Sequence, residues 1–153
     1  LLLYTTLVHI GNQEYKVAKK YISNAIIDHN IKYLPLMRTI RLVRLIVFYE
    51  VQEHELIQYE SRSITRSLSS PKEQTFKTER IILWFLNKRN IPILKKDREA
   101  FWEKLSPEIH ELYNNKYESQ LLRLFDFTAW MESKIRKEKL SEVLRARTSA
   151  KEC

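Results

Sequence analysis

Apolar residues recur along most of this chain at steps of three and four, the spacing that gathers side chains on one face of a helix. Leu3, Leu7 and Ile10 form such a stripe over residues 1–10, and Gly11-Asn12 ends it with a pair suited to helix termination and a turn. From Gln13 to about Ile27 the positions Val17, Ala18, Tyr21, Ile22, Ala25 and Ile26 build a broad apolar face. The first two segments are therefore expected to fold back on each other as a helical hairpin. Asp28-His29-Asn30 reads as a polar corner, and Pro35 suits the first turn of a third helix from about Leu34 to Val51. There the pattern is two-sided. Leu36, Ile40, Val43 and Val47 make one stripe and Leu34, Leu42, Leu45 and Ile46 an opposite one, as in a helix sandwiched between neighbours. Arg38, Arg41 and Arg44 fill part of the remaining arc, so their guanidinium groups are expected to project together from one narrow face.

Gln52-Glu53 is a short corner before a fourth helix, Glu55 to about Leu68, with Leu56, Tyr59, Ser63, Ile64 and Leu68 expected inward. Ser67 to Lys72, ending Ser-Ser-Pro-Lys, is the main internal break. Within Thr75 to Asn87 the run Ile81-Ile82-Leu83-Trp84-Phe85-Leu86 would by itself fit a buried strand. No turn residues separate it from Phe76-Lys77-Thr78-Glu79-Arg80 upstream, so a helix of about three turns is expected. Asp97 to Leu105 and Pro107 to Asn114 read as two short helices, the second opened by Ser106 as cap and Pro107 at the first helical position. A last long helix, about Tyr117 to Lys137, carries Tyr117, Leu121, Leu124, Thr128, Met131 and Ile135 along one seam. Ser141 to Leu144 can start one more turn, and Arg145 to Cys153 is expected to fray.

The pattern adds up to an all-α fold of about six to eight helices in a single domain, 1–153. Residues 1–70 hold two helix pairs and residues 71–153 further packed helices. Composition agrees, because Gly11 is the one glycine among 153 residues and tight β-hairpins rely on residues that tolerate positive φ. A hydrophobic content of 44% beside 30% charged residues puts the chain with globular proteins and outside the disordered class. No stretch reaches the roughly 18 apolar residues of a membrane span; the best run, Leu42 to Tyr49, is broken by Arg44. Cys153 is the sole cysteine, which removes internal disulfides and a cysteine-based zinc site and favours a cytoplasmic setting. The chain opens at Leu1-Leu2-Leu3 inside what reads as a helix, the pattern of a piece of a longer protein, without the basic segment or cleavage site of a signal peptide.

Aligning the corners Gly11 to Ala18 and Val51 to Ile57 matches Tyr15 with His54 and Ala18 with Ile57, an offset of about 39 residues. Tyr15-x-x-Ala18-x-x-x-Ile22-x-x-Ala25 resembles the second helix of a tetratricopeptide repeat, where an aromatic opens the helix and small residues admit its neighbour. With Phe48-Tyr49-Glu50 before the second corner and Phe125 to Lys134 in the last helix, the chain is similar to the C-terminal helical-repeat region of uncharacterised bacterial tetratricopeptide-like proteins. The resemblance implies a right-handed stack of antiparallel helical hairpins, a TPR-like α-solenoid, acting as a protein-binding scaffold.

Candidate chemistry is sparse. His54-Glu55-Leu56-Ile57-Gln58 has Gln58 where the zincin pattern needs a second histidine, so no metal site is expected there. His9, His29 and His110 show no ligand spacing, and a single glycine rules out a Gly-rich phosphate loop. No cofactor and no catalytic residues are expected. The formal net charge of +8 favours acidic partners or polyanions. Lys88, Arg89, Lys95, Lys96 and Arg98 cluster at one corner and Lys134, Arg136, Lys137 and Lys139 at another, but glutamates are interleaved and no nucleic-acid-binding motif accompanies them. The favoured function is therefore a non-enzymatic interaction scaffold for a protein or peptide, with Arg38, Arg41 and Arg44 as its charged contacts. Trp130 is a further contact, because with Phe127 it lies off the seam of the last helix. A basic helical nucleic-acid-binding module and a self-association domain stand as alternatives.

Overall fold

The computed structural model describes residues 2–25, 35–68, 76–87 and 91–151. Among them every regular element is an α-helix. These are α1 (Leu2–Gly11), α2 (Tyr15–Ser23), α3 (Pro35–Glu50), α4 (His54–Leu68), α5 (Lys77–Asn87), α6 (Lys95–Asn114), α7 (Glu118–Leu124), α8 (Phe127–Arg136) and α9 (Leu140–Lys151). The described residues thus hold nine helices where about six to eight were expected. Two compact units divide the chain, Leu1–Leu83 and Trp84–Cys153, with the division inside α5 rather than at the Ser-Ser-Pro-Lys segment. The Asp28-His29-Asn30 corner and most of that segment lie outside the described residues. No helix among the described residues is long and apolar enough to cross a membrane.

In the first unit α1 packs on α2, α2 on α3 and α3 on α4. The two corners that make these hairpins are built alike. At the first, Gln13 takes a left-handed conformation (φ 63°), its N–H donates to Ile10 O at 3.0 Å, and Glu14 N–H donates to His9 O at 2.8 Å. At the second, Gln52 does the same (φ 61°), donating to Tyr49 O at 3.1 Å, and Glu53 N–H donates to Phe48 O at 2.9 Å. This Schellman-type closure satisfies carbonyls that a helix end otherwise leaves unbonded. The equivalent residues sit at the spacing of about 39 read from the sequence. The left-handed position belongs to Gln13 and not to Gly11, which remains in α1 without a positive φ. Lys137 (φ 60°) closes α8 in the same way, Glu138 N–H donating to Ser133 O at 3.0 Å.

A left-handed non-glycine residue costs roughly 1–2 kcal/mol, of which glycine gives back roughly half to its larger freedom in the unfolded chain. Gln13→Gly and Gln52→Gly are each expected to stabilise the protein by about 0.5–1 kcal/mol, read as a higher urea midpoint at unchanged slope.

Helix α3 is the centre of this unit. Met37, Leu42, Val43, Leu45, Ile46, Val47 and Phe48 are buried, as its two-sided pattern requires, although Leu36 is exposed. Helix α4 buries Ile57, Glu60, Ser61 and Ile64, while Leu56, Tyr59 and Ser63 are exposed. Its inward face is therefore turned from the expected one. The reason is polar: Glu60 sits on the buried face because an arginine of α3 meets it there.

In the second unit α6 runs unbroken through Pro107 instead of forming two short helices. Proline has no N–H for the carbonyl four residues back, which is that of Glu103. Ser106 Oγ donates to this oxygen at 3.0 Å and supplies the missing bond, so the residue expected to cap a new helix repairs an old one. The expected helix over Tyr117–Lys137 is two helices, because Asp126 interrupts it. Asp126 Oδ1 accepts from Ala129 N–H at 3.0 Å and Thr128 Oγ1 at 2.8 Å, capping α8, while Phe125 is extended. Helix α8 is then buried nearly all round, through Phe127, Thr128, Ala129, Trp130, Met131, Glu132, Ser133 and Ile135. Helices α6 and α9 pack on it, and α9 occupies the segment expected to fray.

Candidate interaction surface

The three arginines of α3 turn to other elements of the first unit rather than to an open face. Arg38 is only 5% exposed; its Nη1 donates to Glu79 Oε2 at 2.6 Å, and the guanidinium carbon lies 4.9 Å from the centre of the Phe76 ring. Burial pushes the Glu79 carboxyl up from its usual value, against the downward pull of the Arg38 charge, the Phe76 backbone bond and Arg41. Arg41, 8% exposed, donates from Nη2 to Ser63 Oγ at 3.1 Å. Arg44 Nη1 donates to Glu60 Oε1 at 2.9 Å, while its Nη2 donates to Ala25 O at 2.7 Å and Ile22 O at 3.4 Å, covering carbonyls at the end of α2. The expectation of an open arginine row is corrected: these side chains are ties between helices. Trp130 is corrected likewise. It is fully buried and meets Phe85 edge-to-face at 5.6 Å, because the break at Asp126 turns it into the core.

The ties fix how the helices lie. Lys19 of α2 pairs with Glu53 at the start of α4, and Arg44 joins the last carbonyls of α2 to Glu60, two turns along α4. Both helices thus advance in the same direction, each packed on α3. Opposite the buried Ala18 and Ile22, α2 exposes Lys16 and Lys20. Opposite the buried Ile57 and Ile64, α4 exposes Tyr59, Arg62 and Arg66. Tyr59 is 74% exposed. Glu55 is the carboxylate on this side of α4, since Glu53 meets Lys19 and Glu60 is buried.

A second polar grouping ties the second unit. Arg147 of α9 donates to Asp126 Oδ2 at 3.1 Å, Glu132 Oε2 at 2.6 Å, Tyr113 Oη at 2.7 Å and Thr128 Oγ1 at 2.8 Å. Tyr113 in turn donates to Asp126 Oδ1 at 2.7 Å, and burial pushes its hydroxyl up to about 12. The one available hint was Asp126 three residues before Ala129, a helix-capping arrangement. These carboxylates are bound to a guanidinium, so the arrangement is a latch holding α9.

Among the described residues the histidines do not converge. His9 stacks on Tyr21 at 5.3 Å with Nδ1 2.6 Å from Glu14 Oε2, His54 and His110 are exposed, and His29 lies outside the described residues. Among the described residues no three His, Cys, Asp or Glu side chains group as they would around a metal ion. Compared with known proteins, the chain matches no family model, no curated protein and no solved structure. Its functional reading therefore rests on its own residues.

Proposed function

We propose that this chain is a non-enzymatic protein-binding scaffold, a TPR-like α-solenoid of the cytoplasm whose helical hairpins stack with a right-handed turn. The observation that carries the reading is the repeated corner. Gln13-Glu14 and Gln52-Glu53 close α1 and α3 with the same hydrogen bonds, making α1/α2 and α3/α4 two copies of one hairpin. Repeated hairpins of this kind give extended helix surfaces suited to holding another chain. The buried charges support it too, because Arg38, Arg44 and Arg147 are engaged in holding helices together. The partner is a protein or peptide with acidic character, in keeping with the net charge of +8.

The test is capture from nuclease-treated extract on the immobilised protein. One or a few proteins are expected to be retained and to be displaced by excess soluble chain. Retention that nuclease abolishes, or none that the soluble chain displaces, contradicts the scaffold reading.

A further inference from the structure

The geometry points to the outward side of α2 and α4 as the partner surface, and we propose that it receives a short acidic peptide segment between Lys16 and Lys20 at one end and Arg62 and Arg66 at the other, across Tyr59. The proposal rests on the scaffold reading and names its contact. Three observations carry it.

The first is placement. The Lys19–Glu53 pair and the Arg44 bridge set α2 and α4 in the same direction on α3, with Lys19 level with Glu53 and the end of α2 level with Glu60. On that alignment Lys16, Lys20, Tyr59, Arg62 and Arg66 follow one another along the helix pair. The track is about 20 Å long at 1.5 Å per residue. An extended peptide of about six or seven residues spans it.

The second is charge. Arg38 and Arg44 of α3 are engaged by Glu79 and Glu60, whereas Lys16, Lys20, Arg62 and Arg66 are exposed with Glu55 as the one carboxylate beside them on α4. A face on which cations outnumber carboxylates steers an oppositely charged segment and fixes its register. The third is Tyr59, an aromatic ring held almost wholly in solvent midway along the track. Such a ring gives a peptide an apolar anchor with a polar tip, one of the residue types enriched at interface hot spots.

The probe is a fluorescently labelled peptide of about seven residues, glutamates around one central phenylalanine, followed by anisotropy at physiological salt. Joint reversal, Lys16→Glu, Lys20→Glu, Arg62→Glu and Arg66→Glu, is expected to weaken binding at least about tenfold. Circular dichroism should keep its helical shape, since all four side chains are exposed. Glu55→Gln is expected to tighten binding by about twofold. Equal affinity of the reversed variant overturns the proposal, as does failure of the native chain to bind the peptide. Tighter binding of a single-stranded oligonucleotide of the same length at the same salt also overturns it, and assigns the face to nucleic acid. The scaffold reading fails differently: there the native chain captures no protein at all, whereas here the reversed variant captures the same proteins as the native one.

Discussion

Arg38→Ala is expected to cost about 3–5 kcal/mol and to unfold the first unit at a much lower urea concentration. The side chain is almost fully buried against Glu79, itself buried, so truncation strands a carboxylate in an apolar setting with its strongest partner gone. The paired replacement Arg38→Met with Glu79→Leu removes both charges and fills the space with apolar atoms. It is expected to restore stability to within about 1 kcal/mol of the native chain, or to exceed it. Burial has already raised the Glu79 carboxyl despite the arginine. The folded state then keeps this proton over a pH range in which the unfolded chain has lost it. This group therefore lowers stability as pH rises from the ordinary carboxylate value to the raised one, and the effect is larger in Arg38→Ala. A cost below about 0.5 kcal/mol for Arg38→Ala would be that of a surface side chain and would contradict the burial.

Trp130→Ala is expected to cost about 3–5 kcal/mol, with loss of the near-ultraviolet dichroism of the packed aromatic cluster. The indole is fully buried on α8 and touches Phe85, and both α6 and α9 rest on the helix that carries it. Trp130→Phe keeps a ring in the cavity and is expected to cost less than half as much. A tryptophan serving only as a partner contact would give a variant of native stability, within about 0.5 kcal/mol, and weakened binding.

Much of the local structure was legible. Helix α3 was expected over residues 34–51 and runs Pro35–Glu50, because Pro35 fixes its first turn and apolar residues crowd both sides. Helix α5 was expected over 75–87 and runs Lys77–Asn87. The equivalence of the corners was also readable, although the residue taking positive φ is glutamine and not glycine. What escaped depends on partners distant in sequence. Arg38 and Arg44 read as a solvent face because nothing near them announces Glu79 or Glu60, 41 and 16 residues away. Glu60 also turned α4, since hydropathy places an acidic residue outside and an ion pair can hold it inside. The break between α7 and α8 was missed for a local reason. An aspartate inside an apolar seam looks like a tolerated polar residue until its carboxylate is seen capping the next helix.

The candidate surface was the least legible part. Lys16, Lys20, Arg62 and Arg66 are ordinary exposed residues on separate helices, and only the common direction of α2 and α4 on α3 joins them. Periodicity misplaced the exposed face of α4, where Tyr59 was expected inward, and it carries no information about which helices are neighbours.

Which arginines are internal and which are open is measured directly by timed modification with phenylglyoxal read by peptide mass spectrometry. Arg62 and Arg66 should react at the rate of a free arginine, while Arg38 and Arg44 react more than about tenfold slower, limited by opening of the fold. Arg38 and Arg44 reacting as fast as Arg62 would contradict this division.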